Sequence, residues 1–67
     1  MTADDVRALM RKEIERLGGM QSMLAGRAGM SQQYISDLLT GRRDIPTSGA
    51  LLDYFGIEAK ITWQRKR

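Results

Sequence analysis

The 67-residue sequence contains neither cysteine nor histidine. Without cysteine, the chain has no disulfide framework and no thiolate metal site. The absence of histidine removes the most common general base of enzymes and the most common protein ligand for metals. The composition therefore argues against an enzyme, and we expect neither a metal nor another cofactor.

Long apolar segments are also missing from the sequence. A membrane span would need a run of about 18 apolar residues, and acidic Asp4 and Asp5 lie where a secretory signal would be basic. We therefore expect a soluble, cytoplasmic protein without a membrane partner. The length suits one small domain. The net charge of +3 and a pI near 9.8 favour a polyanionic partner.

Residues 21–43 contain two short segments in which apolar side chains recur at helical spacing. Gly29 lies between them and can adopt positive φ without a Cβ clash, so the chain can reverse abruptly there. Ser31 then offers a hydroxyl to cap the second segment. The pattern predicts two short helices joined by a tight turn. Its inward side chains would be Leu24, Ala28, Met30, Ile35 and Leu38.

Two further helices are predicted on either side of this pair. Thr2 with Asp5 forms a short capping box, and apolar spacing continues to Gly18. Thr47 or Ser48 would cap a last helix that ends at Gly56. On the first helix, the charged outer face, with Arg11 and Glu15 one turn apart, is interpreted as solvated. Core-filling roles are predicted for Met20, Met23 and Met30. The fold class is a compact all-α, four-helix domain.

The end of the chain has a different pattern. Residues 58–64 alternate between apolar and polar side chains, which predicts a β-strand. Since no other segment reads as a strand, a second subunit is the simplest source of a partner. Dimer contacts would then come from Ala59, Ile61 and Trp63. Alternatively, the tail lies back over the helices, with Ile61 and Trp63 filling gaps. We expect residues 1–57 to form the domain and residues 58–67 a strand with a basic tail.

Residues 20–57 resemble the helix-turn-helix of the phage repressor and Cro family, also called the lambda-repressor-like domain. The matching positions include Ala25, Gly29 and Ile35 at the family's spacing. The triplet at residues 31–33, Ser-Gln-Gln, is similar to the Thr-Gln-Gln with which lambdoid repressors read base edges. Two departures are visible. Met20 replaces the usual Ser or Thr, and residues 38–41 read Leu-Leu-Thr-Gly instead of the Trp-Glu-Asn-Gly type, so the usual acidic residue is lost at that corner.

The resemblance implies binding of double-stranded DNA by the second helix of the motif. Base contacts are expected from Gln32, Gln33, Ser36 and Asp37. Contacts to the DNA backbone are expected from Gln21, Ser31, Tyr34, Thr40, Arg42 and Arg43. Glutamine can pair with adenine and can also donate to guanine. Asp37 would accept from cytosine, pair with an arginine such as Arg42, or be a surface acid. Tyr34 would stack on the DNA backbone or pack against the first helix.

Three functions are compatible with this pattern. The first is a dimeric transcription regulator, a repressor of phage or prophage Cro-like type, that binds a palindromic operator. The second is the antitoxin of a toxin-antitoxin pair, with the same DNA-binding surface and a protein toxin as an additional partner. The third is a helical protein-interaction module without DNA binding. Cro-type proteins and antitoxin repressors include dimers that form through β-strands. The resemblance to them supports a homodimer for the first two functions.

Overall fold

The computed structural model describes residues 2–59 and 63–65, and the side chains of residues 2–57. Four helices are followed by two short strands, and the predicted all-α helix-turn-helix domain is confirmed. The elements are α1 (Ala3–Arg16), α2 (Gln21–Ala28), α3 (Gln32–Thr40), α4 (Ala50–Phe55), β1 (Ile57–Ala59) and β2 (Trp63–Arg65).

The helix ends follow local capping signals. At the start of α1, the Thr2 hydroxyl accepts from the Asp5 amide at 3.2 Å, and the Asp5 carboxylate accepts from the Thr2 amide at 2.8 Å. This confirms the predicted capping box. The N-cap of α2 is Met20, which provides no side-chain hydrogen bond. The predicted cap of α4 by Thr47 or Ser48 is wrong, because the N-cap is Gly49 at φ +111°, a conformation that L-residues rarely adopt.

The turn between α2 and α3 forms as the sequence predicts. Gly29 ends α2 in the left-handed region, at φ 74° and ψ 34°. The Met30 amide then donates to the Ala25 carbonyl at 2.9 Å, which closes the turn. Ser31 caps α3, since its hydroxyl oxygen accepts from the Tyr34 amide at 3.1 Å. The direction in which α3 leaves the turn is therefore fixed by backbone geometry and one side-chain cap.

The core is formed by one face of each helix, sealed by Ile45 before α4 and Ile57 after it. The buried helical members are Val6, Met10, Ile14, Leu24, Ala25, Ile35, Leu38, Leu51 and Leu52. The predicted core-filling roles of Met20 and Met23 are wrong, as these side chains are 61% and 44% exposed. Leu24, Ala25 and Ala28 occupy the inner face of α2, so Met23 falls outside it. Only Met30, of those three methionines, packs against the core.

The C-terminal segment differs from the single strand predicted over residues 58–64. β1 and β2 pair antiparallel, with Ile57 opposite Arg65 and Ala59 opposite Trp63. A strand in the same chain thus supplies the hydrogen-bonding partner that was expected from a second subunit, and buried Ile57 anchors β1 to the helices. Ile61 lies outside the described residues, as do the side chains of Ala59 and Trp63. Their proposed dimer contacts stay a prediction.

Candidate nucleic-acid interface

One face of α3 packs into the core, so the opposite face points away from it. Ile35 and Leu38 are fully buried. Gln32 and Gln33, in the first turn, are exposed, while Ser36 and Asp37 are half-buried one turn later. The four side chains predicted to contact bases therefore lie along one helix, with two amides at its amino end. Amides of this kind can donate to and accept from the edges of bases.

A chain of polar contacts links this face of α3 to the loop that follows it. The Gln33 Nε2 donates to Asp37 Oδ1 at 2.9 Å. Asp37 Oδ2 lies 3.9 Å from Arg43 Nε, and the Arg43 amide donates to the Asp37 carbonyl at 3.2 Å. Of the roles that the sequence left open for Asp37, the structure shows pairing with a nearby arginine, which is Arg43 and not the Arg42 given as an example. The loop conformation after Gly41 brings Arg43 back over the helix.

Tyr34 is half-buried and packs against the core. The Arg43 guanidinium lies 5.5 Å from the centre of its ring, in a cation–π arrangement. Between the two roles that the sequence leaves open for Tyr34, the structure shows packing. A contact from Tyr34 to the DNA backbone stays a prediction.

The other predicted backbone-contacting side chains lie at the edges of α3. Ser31 is exposed and caps its start, while Arg42 and Arg43 are exposed just beyond its end. Thr40, also exposed, donates its hydroxyl to the Ser36 carbonyl at 3.0 Å. Gln21, the first residue of α2, lines a groove together with Thr40. Potential phosphate contacts therefore lie at both ends of α3, with Ser31 at its start and the others at or beyond its carboxyl end.

Two arginines of α1 hold the carboxyl end of α3. Arg7 Nε donates to the Leu38 carbonyl at 2.7 Å, and Arg11 Nη2 donates to the Leu39 carbonyl at 3.0 Å. The last carbonyls of a helix lack intrahelical partners and carry partial negative charge, so cations stabilise this end. Both bonds are to carbonyls within residues 38–41, the segment that lacks the acidic residue of the Trp-Glu-Asn-Gly type.

The interpretation of this charged face as solvated was therefore wrong for Arg7, whose side chain is only 16% exposed, whereas Arg11 is exposed. Neither guanidinium is simply solvated, and Arg11 bonds to α3 instead of Glu15. A signal was present in the sequence. Arg7 and Arg11 are one turn apart on the same face of α1, whereas α3 has no basic residue of its own in its last turn.

A second polar network joins α1 to α4. Arg16 donates to the Glu13 carboxylate twice, from Nε at 2.6 Å and from Nη2 at 2.7 Å, and the Tyr54 hydroxyl donates to the same carboxylate. The bonds from Arg16, and then the bond from Tyr54, lower the pKa of Glu13 to about 2. The bond to Glu13 in turn raises the pKa of Tyr54. This network connects α4 to the helix that holds α3.

The described residues contain no helix long and apolar enough to cross a membrane, and no group of three or more acidic side chains arranged to hold a metal ion. A family model described as helix-turn-helix matches residues 10–60. That range begins within α1 and includes α2, α3, α4 and β1. No individual curated protein and no solved structure gives a significant match.

Proposed function

Because this chain belongs to the Xre/lambda-repressor-like helix-turn-helix family of DNA-binding transcription regulators, we propose that it recognises a specific duplex sequence by inserting α3 into the major groove. The observation that carries the proposal is the exposure of Gln32 and Gln33 at the amino end of a helix whose other face is buried. An α-helix fits the major groove, where each base pair presents a distinct set of donors and acceptors.

In this proposal, the two kinds of contact have separate roles. Gln32 and Gln33 read base edges, with Ser36 and Asp37 one turn farther along α3. Arg42 and Arg43 bind phosphates, since exposed guanidinium groups form strong bidentate bonds with phosphate oxygens. Gln21, Ser31, Tyr34 and Thr40 complete the set of backbone contacts. Phosphate contacts provide much of the affinity and fix the orientation of the helix, while base contacts provide sequence preference.

We further propose that the regulator is a homodimeric repressor of the phage or prophage type. A dimer with twofold symmetry would bind a palindrome whose half-sites lie about 34 Å apart. The short antiparallel sheet of β1 and β2 supports this proposal, because a strand from a second copy can extend the edge of a two-stranded sheet. Ala59, Ile61 and Trp63 are the proposed contacts.

Sedimentation velocity over a range of concentrations tests the homodimer. Since Trp63 is the only tryptophan, its fluorescence gives an independent signal of the same association. A monomer–dimer equilibrium accompanied by a shift in tryptophan emission is expected. A monomer at every concentration, with constant emission, would remove the dimer from the proposal.

Selection of bound duplexes from a random DNA pool tests DNA recognition itself. Wild-type protein is expected to enrich an inverted repeat. Replacing Gln32 or Gln33 by alanine should then cost roughly 1 to 3 kcal/mol on that site and relax the preference at one or two base pairs. Failure to enrich any sequence would favour the helical protein-interaction module. Equal losses on all sequences would argue against base reading by these amides.

An antitoxin is the second candidate function. The observation that favours it is the exposure of Met20 and Met23, because flexible methionine side chains are common on surfaces that bind proteins. Co-expression with the products of adjacent genes tests it. A stoichiometric complex that loses affinity when both methionines are changed to serine would support a toxin partner, and the absence of any such complex would reject it.

A further inference from the structure

The side chains of Gln33 and Asp37 form a bonded pair within the proposed reading surface. They lie one helical turn apart on α3, and Gln33 Nε2 is 2.9 Å from Asp37 Oδ1. The second carboxylate oxygen of Asp37 is 3.9 Å from Arg43 Nε, and the Asp37 side chain is only 20% exposed. Asp37 is therefore held between a base-reading candidate and a cation. A free surface acid would not be restricted in this way.

The chemistry of this pair fixes which way the Gln33 amide points. An ionised carboxylate can only accept hydrogen bonds, so Gln33 must direct its NH₂ group, and not its oxygen, toward Asp37. One of the two N–H bonds of the amide is then occupied. What Gln33 can still offer to a base is one N–H donor together with the Oε1 acceptor.

This remaining pair of groups matches adenine better than guanine. In the major groove adenine presents the N7 acceptor and the N6 donor, whereas guanine presents two acceptors, N7 and O6. A glutamine that is free to flip could turn its NH₂ group toward guanine. With one N–H bonded to Asp37, the amide keeps its oxygen near the base. Both that oxygen and the negative charge of Asp37 would repel the acceptors of guanine.

We propose that Asp37 is a specificity-determining residue that acts through Gln33, setting its amide to read adenine and to disfavour guanine. The proposal rests on major-groove reading by α3 and adds the identity of the base. It gives Asp37 a positioning role in which its carboxylate need not touch DNA. An isolated glutamine can bond to either purine. With Asp37 holding its amide, Gln33 has a defined preference for adenine.

The test measures the ratio of affinities for adenine and guanine at one base pair. That base pair is identified in the enriched duplex as the one whose preference relaxes in Gln33→Ala. Two variants should each lower the adenine-to-guanine ratio about fivefold or more. They are Asp37→Ala and Asp37→Asn, the second of which is nearly isosteric but can also donate. Asp44→Asn is the matched control. It removes one negative charge from an exposed loop near Arg43 and should strengthen binding to both duplexes equally, leaving the ratio unchanged.

The side-chain amide resonances of Gln33 in the free protein give a readout that does not depend on DNA. In wild-type protein, the hydrogen bond should displace the Gln33 NH₂ signals from those of Gln32, which serves as an internal reference. In Asp37→Ala, the two glutamines should converge, and in Asp44→Asn they should remain distinct. Unfolding midpoints of the variants separate this local change from a general loss of structure.

The outcomes distinguish this inference from the function on which it rests. If wild-type protein enriches no duplex, sequence-specific reading fails, and the role of Asp37 fails with it. If a duplex is enriched but the adenine-to-guanine ratio is the same in wild type and in both Asp37 variants, the inference alone is overturned. A lower ratio in the Asp37 variants, with no change in Asp44→Asn, would establish it.

Discussion

The contacts from α1 to the end of α3 make a quantitative prediction about stability. Arg7→Met keeps most of the apolar stem but removes a charged donor that lies 2.7 Å from the Leu38 carbonyl. The Arg7 side chain is only 16% exposed, so water replaces this bond poorly. Hydrogen bonds from charged groups contribute about 1.5 to 3 kcal/mol, and we expect a loss in that range.

Arg11→Met provides the comparison within the same helix. Its bond to the Leu39 carbonyl is longer, at 3.0 Å, and exposed, so a loss of about 0.5 to 1 kcal/mol is expected. The ion pair between Arg7 and Asp4 adds little, because the Asp4 side chain is 92% exposed. Asp4→Asn should therefore cost less than about 1 kcal/mol. It is the control that separates the ion pair of Arg7 from its bond to the Leu38 carbonyl.

Urea unfolding followed by circular dichroism measures these differences. A domain of this size has a total stability of about 3 to 10 kcal/mol, so the loss in Arg7→Met should move the midpoint clearly while the slope stays constant. The expected order of cost is Arg7→Met above Arg11→Met. A cost below about 0.5 kcal/mol for Arg7→Met would refute the idea that Arg7 holds α3. Equal costs for the two variants would contradict the idea that burial makes the Arg7 bond the stronger one.

Further expectations concern pH, the turn and salt. Because folding lowers the pKa of Glu13 from 4.5 to about 2, its stabilising effect is present above the unfolded pKa and should be lost as pH falls from about 4.5 to about 2. In Glu13→Gln, the unfolding midpoint should depend less on pH over that window. A pH dependence equal to that of wild type would contradict this. Gly26→Ala and Gly29→Ala both place a Cβ in open space, but only Gly29 has positive φ. Thermal melts should show a gain of up to ~1 kcal/mol for the first and a loss of about 1 to 2 kcal/mol for the second, and effects of the same sign would be inconsistent with the turn. Arg42→Ala and Arg43→Ala should each reduce the slope of log DNA affinity against log salt concentration by about one unit. An unchanged slope would remove that residue from the phosphate contacts.

Local signals in the sequence were sufficient to predict the helices and the turn. The Thr2 capping box, the left-handed Gly29 and the Ser31 cap each act within a few residues, so their geometry is largely independent of the rest of the chain. The burial of Ile35 and Leu38 follows from helical periodicity in the same way. The exposed face of α3 could therefore be predicted as well.

Contacts between distant segments could not be predicted from these signals. The bond from Arg7 to Leu38 spans 31 residues, and the bond from Tyr54 to Glu13 spans 41. Both depend on how the helices cross, which periodicity does not specify. The pairing of β1 with β2 was missed because alternation of apolar and polar residues marks extended chain without showing where one strand ends and the next begins. The Gln33–Asp37 bond was within reach of the sequence, since glutamine and aspartate at this spacing interact on helices.

Amide NMR spectra recorded during titration with the selected duplex test most directly whether α3 is the surface that binds DNA. The largest shifts are predicted at the side-chain amides of Gln32 and Gln33 and at the backbone amides of Arg42 and Arg43. The backbone amide of Tyr54, in α4, should change little. Large shifts around Tyr54, with the two glutamine amides unaffected, would contradict the proposed interface.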